Sequence, residues 1–398
     1  MVIHMKIAMI LDNPFTDDNR VFKEAKSLVN HGYDVTILCK NEPDLTLPVE
    51  EVIEGINIKR LFKYNLGTSV LIDYYLQAHF DLYFNLNEHY DIYHCHDSET
   101  WPIGYILARR DQAKLIYDSH EYFNDYICEE WYSDSFKYEF TRFLVKARGN
   151  YLSKADGVIV ASENISEILR EEFKLEEKPT VLYNTRPLLD YRFEKNRLRE
   201  KYSISEEYKI ILYQGIVKPV RGVDIAIKAM KHVQEGVFVV AGGGGDGYIE
   251  ELKELAVECE VADRVIFTGF IPSDQLLEYS FCADIMVFFG QPVTKNMEYC
   301  SPNKLFDCII AEKPIIVGDL WSLRDIVEKY RIGEVVDIHN IDVKKIATII
   351  NKLIHNPELC NLYAANAQKI KNQFSWEKQE EKLLELYQRV TSKKKIDN

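Results

Sequence analysis

The sequence predicts an α/β protein built from two doubly wound domains, and three observations carry that reading. Short β-branched runs alternate with longer amphipathic stretches, the pattern of βα units around a parallel sheet buried on both faces. The alternation breaks in a charged segment near the middle of the chain and then restarts. The length, 398 residues with 46% hydrophobic, suffices for two cores at roughly 150 residues per domain.

The first series of strands is expected at Lys6 to Leu11, Asp34 to Cys39, Asn57 to Phe62, Asp91 to His96, Lys114 to Asp118, Gly157 to Ala161 and Thr180 to Tyr183. Helical stretches separate most of them; Arg20 to Asn30 places Val21, Ala25, Leu28 and Val29 on one face and stops at His31-Gly32. A second series follows at Lys209 to Gln214, Val237 to Ala241, Val265 to Thr268, Ile285 to Phe288, Pro314 to Val317 and Glu334 to Val336. Residues 1–186 are thus assigned to an N-terminal Rossmann-like domain, 187–206 to a charged linker opening at Pro187, and 207–373 to a C-terminal Rossmann-like domain. A last amphipathic helix is expected over 375–392, with Leu383, Leu384, Leu386, Tyr387 and Val390 apolar.

Composition narrows the function. With 63 acidic against 49 basic residues and a net charge of -14, the chain lacks the basic face that nucleic-acid binding requires. No apolar run approaches the ~18 residues of a membrane span. The start is too short for a signal-peptide core, and the eight cysteines form no CxxC pair, so a cytoplasmic protein without disulfides is expected. The aromatic-rich stretch from Tyr122 to Arg148, with Trp131, Tyr132, Arg142 and Lys146, reads as a core face at helical spacing or as a patch for peripheral membrane contact.

Ligands of open α/β sheets bind beyond the carboxyl ends of the strands. In the first half that edge carries Asp12-Asn13, Asp17 and Arg20, then His96-Asp97, then Asp118-Ser119-His120-Glu121. These residues suit a substrate cleft or a set of hydrogen-bonded loops. A metal site drawn from His94, His96, Asp97, His120 and Glu121 finds no support in HExxH or Cys/His spacing. In the second half, Gly215 to Gly222 places Lys218 and Arg221 before a helix start, an arrangement that suits an anion. Ser301-Pro302-Asn303-Lys304 reads as an N-cap and a proline at the first helical position, with Asp307 one turn on. A diphosphate would meet Lys304 and the helix amides there; the plainer reading is a capped surface helix. The run Gly242 to Gly247 formally matches GxGxxG, but it falls in the second unit of its domain rather than the first, which argues against a dinucleotide site.

Taken in order, these pieces resemble glycosyltransferase family 4, a family of the GT-B fold. The resemblance runs from Lys6 to Ile10 and Asp17 to Ala25, through His96-Asp97, Asp118 to Glu121, Val158 to Ser162 and Tyr183-Asn184. It continues through Tyr213-Gln214-Gly215, Arg221-Gly222, the Gly242 to Gly247 turn, Phe267 to Phe270 and Ser301 to Asp307, to Phe374-Ser375-Trp376. The resemblance implies two domains facing each other across a cleft, a closing helix that returns to the N-terminal domain, and retaining transfer of a hexose-type sugar from a nucleotide diphosphate sugar. The acceptor would be a saccharide, a lipid-linked molecule or another glycoconjugate, as in polysaccharide biosynthesis. Arg221 and Lys304 would stabilise the departing diphosphate, and His120 would face the transferred sugar or acceptor. Gly215, Gly243, Gly244, Phe270, Ser301, Asn303 and Asp307 would line the donor, with Asp307 on the ribose hydroxyls. Asp17, Arg20, His96, Asp97 and Glu121 would form the acceptor side.

The chain departs from the family pattern at Ile216, where an Arg is common, at Tyr299 and Asp307, where paired glutamates are common, and at Pro14 to Asp17, which lacks the glycine pair of the first loop. No Asp-x-Asp triplet occurs, so no metal or other cofactor is expected. A nucleotide-sugar epimerase, a nucleotide-sugar-binding protein without catalysis and, last, an NAD-dependent oxidoreductase are the alternatives.

Overall fold

The computed structural model describes residues 5–16, 18–41, 45–63, 86–122, 149, 151–191, 193–194, 196–245 and 247–392. The chain divides into two compact units, Met1–Tyr183 with Gln379–Asn398, and Asn184–Lys378.

In the first unit the strands are β1 (Lys6–Ile10), β2 (Asp34–Asn41), β3 (Glu50–Ile53), β4 (Ile56–Lys63), β5 (Ile92–His96), β6 (Lys114–Ser119), β7 (Gly157–Val160) and β8 (Thr180–Val181). They form one sheet in the order β3-β4-β2-β1-β5-β6-β7-β8. All neighbours are parallel except β3, which pairs antiparallel with β4. Continuous apolar runs build the centre: Ile7, Met9, Val35, Ile37, Ile92, Ile116 and Ile159 belong to one buried cluster. β3 is the strand that the sequence reading lacks. Its Glu-Glu-Val-Ile has no alternation, and the Glu54-Gly55 turn, with φ of 49° and 85°, folds it back on β4.

Helix Asn19–Asn30 starts where Asp18 accepts from the Val21 amide and presents Val21, Ala25 and Leu28 to the cluster. Helix Trp376–Ser392 contributes Leu383, Leu386, Tyr387 and Val390 to the same cluster. Burying its leucines and valine is worth roughly 1.5–3 kcal/mol each. Gly157 permits the approach, since a Cβ there would lie 2.9 Å from Leu386 and 3.0 Å from Val390.

The second unit holds β9 (Lys209–Gln214), β10 (Gly236–Ala241), β11 (Val265–Phe267), β12 (Ile285–Phe288), β13 (Ile315–Gly318) and β14 (Gly333–Val336). They form an all-parallel sheet in the order β11-β10-β9-β12-β13-β14. The change of winding direction around β9 and β12 sets the crevice at their carboxyl ends, where open α/β sheets receive ligands. Residues 187–206 fall within this unit. They include helix Arg197–Tyr202, and Arg199 donates to Asp284 at 2.9 Å and to the Ser205 and Tyr208 carbonyls.

Tyr122 donates its hydroxyl to Glu172; the remainder of the aromatic stretch described for Tyr122 to Arg148, and Asp17, lie outside the described residues. Among the described residues, no helix is long and apolar enough to cross a membrane.

Candidate functional site

In the second unit the loops after β9 and β10 interlock. The Gly215 amide donates to the Ala241 carbonyl at 2.9 Å, and the Val217 amide to the Gly243 carbonyl at 2.8 Å. Gly215 has a φ of 113°. A Cβ at Gly242 would lie 1.9 Å from the Gly215 carbonyl oxygen, and one at Gly244 only 2.3 Å from that of Val217. The glycine run therefore serves a backbone-to-backbone contact between two loops. Gly243 touches Phe270, which is 79% exposed, and Ile216 is 65% exposed. The first loop then reaches Gly222, at a φ of 81° and against the Phe289 carbonyl, where helix Val223–Met230 begins.

Helix Asn303–Ala311 delivers Lys304 to this place. The Lys304 ammonium stands 3.9 Å from the centre of the Phe288 ring and 4.4 Å from that of Tyr213. It also lies 3.7 Å from where a Cβ on Gly215 would be. Tyr213 is held by donating its hydroxyl to the Ile216 carbonyl. Although Lys304 is only half-buried by surface area, burial of the ammonium against the rings, and then the Arg221 charge, lower its pKa to about 7. Among the described residues neither Arg221 nor Lys304 has a carboxylate in ion-pair contact.

The sequence reading of Ser301 as the N-cap requires correction. Pro302 is extended, with ψ of 141°, and occupies the cap position, so the helix begins one residue later at Asn303. The Ser301 hydroxyl is buried without a hydrogen-bond partner among the described residues, while Asn303 is exposed on the first turn. Asp307 is 3% exposed. Its carboxylate accepts from Arg186 Nε at 2.6 Å, from Arg186 Nη2 at 3.3 Å and from Gln214 Nε2 at 2.7 Å. Ser280 orients Gln214 by donating to its amide oxygen at 2.7 Å. Three of about four lone-pair sites on Asp307 are thus used within the unit.

In the first unit, β5 and β6 bring together a buried charge network. The register pairs His96 with Asp118, and His94, two residues earlier, shares the same face. The Asp118 carboxylate accepts from Arg20 Nη2 at 2.8 and 2.9 Å and from Nε at 3.1 Å. Arg20 also pairs with Glu24 at 3.1 Å and donates to the Leu182 carbonyl. Burial works against the Asp118 charge, but Arg20 and His120 hold its pKa well below the ordinary range. Glu24 goes the other way, raised to about 8 by burial and by Asp118. His94 Nδ1 and the Tyr387 hydroxyl share a hydrogen bond at 2.9 Å, and the His94 ring stacks on His96 at 4.3 Å. Burial lowers the pKa of both histidines.

His120 sits at the open end of this network. Its Nδ1 lies 3.2 Å from Asp97, its Nε2 lies 3.3 Å from Asp118 and 3.1 Å from His96 Nδ1, and its amide donates to Asp97 at 3.1 Å. Asp97 holds a left-handed φ of 59° at the end of β5 and keeps 43% of its side chain exposed. Glu121 follows, its carbonyl accepting from Ser119.

Arg20 and His96, expected on the acceptor side, are 5% and 2% exposed; both reach the sheet edge only through Asp118 and His120. Glu24, His94, His96 and Asp118 have ligand-type atoms within 4.8 Å of one another. The Arg20 guanidinium already supplies the positive charge these carboxylates require. Sequence reasoning missed Glu24, Arg186, Gln214, Ser280 and Tyr387 as members of these networks. The signal for Glu24 and Tyr387 was a polar group on an otherwise apolar helix face.

Two α/β units, one with two cations that have no ion-paired carboxylate among the described residues and the other with a polar histidine network at its sheet edge, have the GT-B fold. The family model for glycosyl transferases group 1 matches residues 194–370, and that for Glycosyltransferase Family 4 matches residues 19–186. This chain belongs to the family 4-like glycosyltransferases. It is 26% identical over 208 residues to the D-inositol 3-phosphate glycosyltransferase of Xylanimonas cellulosilytica, covering 50% of this chain and 47% of that protein. The chain thus spans about half the length of that relative. It is 25% identical over 385 residues to the putative glycosyltransferase YtcC of Bacillus subtilis, covering 91% of this chain and 85% of that one. The sucrose-phosphate synthase structure from Thermosynechococcus elongatus superposes with a TM-score of 0.79 at 17% identity, over 98% of this chain and 99% of the other.

Proposed function

We propose that this enzyme transfers a hexose from a nucleotide diphosphate sugar to a saccharide, lipid-linked or other glycoconjugate acceptor, with retention of anomeric configuration and without a metal, in the cytoplasm. The observation that carries this reading is the pair Arg221 and Lys304, two cations converging with no carboxylate in ion-pair contact among the described residues, beside the start of helix Asn303–Ala311. Two uncompensated cations favour an anion, and a diphosphate leaving group develops its negative charge as the glycosidic bond breaks. Fixed side-chain cations stabilise that charge without reorganising.

In this mechanism the diphosphate lies against Arg221 and Lys304, with the Ser301 hydroxyl and the first-turn amides as donors. Gly215 lies beside the Lys304 ammonium. The remaining acceptor site on Asp307, held still by Arg186 and Gln214, takes one ribose hydroxyl. The exposed Phe270 and Ile216 border the nucleoside. His120 and Asp97 meet the transferred sugar or acceptor. The leaving phosphate itself receives the acceptor proton, so neither Glu nor Asp is required as a nucleophile.

A donor panel with several nucleoside diphosphate hexoses, run with and without EDTA and read by NMR at the anomeric centre, tests this. Product of unchanged anomeric configuration, formed at the same rate in EDTA, is expected. Inverted product, or activity abolished by EDTA and restored by magnesium, contradicts it. One observation favours a second reading, a nucleotide-sugar-binding protein without catalysis: the family's common Arg is the exposed Ile216 here. Nucleoside diphosphate binding with no transfer from any donor would select that reading.

A further inference from the structure

We propose that Arg20 and Asp118 are positioning residues that hold His120 as a fixed imidazolium, so that His120 acts as a cation anchoring Asp97 and not as a proton acceptor. This rests on the reading that the first unit meets the sugar or acceptor.

The geometry leaves no lone pair on the His120 ring. Nδ1 faces Asp97 at 3.2 Å, and Nε2 faces both Asp118 and His96 Nδ1, at 3.3 and 3.1 Å. A proton on each ring nitrogen gives both carboxylates a donor, with His96 in the tautomer whose Nδ1 is bare. A neutral His120 would present one bare nitrogen to a carboxylate, which is repulsive. The charged groups around it are Asp97 at the head of helix Asp97–Asp111, Asp118 on β6, and Arg20 and Glu24 on helix Asn19–Asn30; His94 and His96 on β5 are the titratable neighbours. Burial opposes the charge on His120, but Asp97 and Asp118 outweigh burial and Arg20 and raise its pKa to about 10.

Asp118 can play this part only if it stays ionised and still. Arg20 ensures both by a two-pronged grip on its carboxylate, and the Arg20 contact to the Leu182 carbonyl ties that grip to the sheet. Glu24 completes the arrangement: raised to about 8, it stays largely protonated near neutrality and so adds little competing negative charge beside Asp118. At the other end Asp97 is bonded twice by His120, through the ring and the amide, while 43% of its side chain remains exposed. Its strained φ of 59° marks a residue held in place by its surroundings. Burial raises the Asp97 pKa to about 7 and the His120 charge works against that rise; Asp97 is then the member of the pair left to accept a hydroxyl from sugar or acceptor, oriented by the His120 ring and amide.

The test is nitrogen-15 NMR of the histidine side chains in the intact protein from pH 5.5 to 9, with His120 assigned by its loss in His120→Gln. Both His120 nitrogens should remain protonated throughout in wild type. In Asp118→Asn a titration should enter that window. Turnover of this variant should fall at least tenfold above its new midpoint and recover below it, with donor KM unchanged. A wild-type His120 that titrates between pH 5.5 and 8 overturns the proposal, as does an unchanged His120 in Asp118→Asn. Should Asp118→Asn fail to fold, Asp97→Asn, at the exposed end, must lower the His120 midpoint, and no change there also overturns it. Because the spectra need no donor, a charged His120 in a protein that transfers no sugar would defeat the proposed function and leave the positioning role intact.

Discussion

The two units carry their charges in opposite ways. In the second, Arg221 and Lys304 approach each other over the Tyr213 and Phe288 rings with no carboxylate in ion-pair contact among the described residues. In the first, Arg20 is gripped by Asp118 and Glu24, and His120 by Asp97 and Asp118. Charge left uncompensated at a sheet edge marks where a charged ligand completes the structure. Charge matched within the fold marks preorganisation, in which side chains are held ready and the net field is small. The second unit is therefore expected to respond strongly to anions and the first hardly at all.

Removing one of the bare cations should break this contrast most severely. Arg221→Ala is expected to lower turnover by about a hundredfold, roughly 2.7 kcal/mol of transition-state stabilisation, measured as kcat with saturating donor. A decrease of less than about tenfold would remove the leaving-group role.

Next is the pH dependence of donor binding. Lys304 in the free protein has a pKa lowered to about 7, so it is charged below that and neutral above it. A bound diphosphate favours the ammonium and raises its pKa, so binding takes up a proton above pH 7, and affinity should fall as pH rises from 7 to 8.5, by at most about tenfold per pH unit. Calorimetry in buffers of different ionisation enthalpy reads the proton directly. In Lys304→Met the uptake should vanish and the pH dependence flatten.

The interlocked loops give a smaller, structural effect. Gly244→Ala forces a Cβ to within 2.3 Å of the Val217 carbonyl oxygen, and the backbone must shift, at a cost of about 1–3 kcal/mol. Thermal unfolding should show this loss together with weaker diphosphate binding, whereas Gly245→Ala, with nothing within 4 Å, should alter neither appreciably.

A pH-dependent effect on stability sharpens the account of the first unit. Burial and Asp118 raise the Glu24 pKa in the folded protein from the ordinary 4.5 to about 8. The unfolded chain therefore loses its proton first, and stability falls as pH rises from about 4.5 to about 8. Glu24→Gln should stabilise the protein above pH 8 relative to wild type and make little difference near pH 5, measured by denaturant unfolding at both values.

Much of this was legible in the sequence, for reasons that differ by region. Buried parallel strands read as continuous β-branched runs, so β1, β9 and β12 stand within a residue of their expected bounds. The edge strand β3 did not, because its pairing with β4 depends on the Glu54-Gly55 turn and not on its own pattern. Arg221, Lys304 and Gly215 were visible because each follows a strand or opens a helix. The partners that hold Asp307 were not: Arg186 is 121 residues away and Gln214 is 93 residues away in sequence, and only the fold brings them to one carboxylate. Arg20 and His96 were recognised as polar residues near the edge, but their burial, and hence their action through Asp118, required the helix to be docked on the sheet.

The most direct test of the central claim is titration calorimetry of the intact protein with a nucleoside, its monophosphate and its diphosphate, for the base that binds, in wild type and Arg221→Ala. The account predicts that affinity rises steeply with the second phosphate in wild type and that Arg221→Ala removes this gain while leaving the nucleoside affinity in place. Equal affinities for the three ligands in wild type, or a diphosphate gain that survives Arg221→Ala, would contradict it.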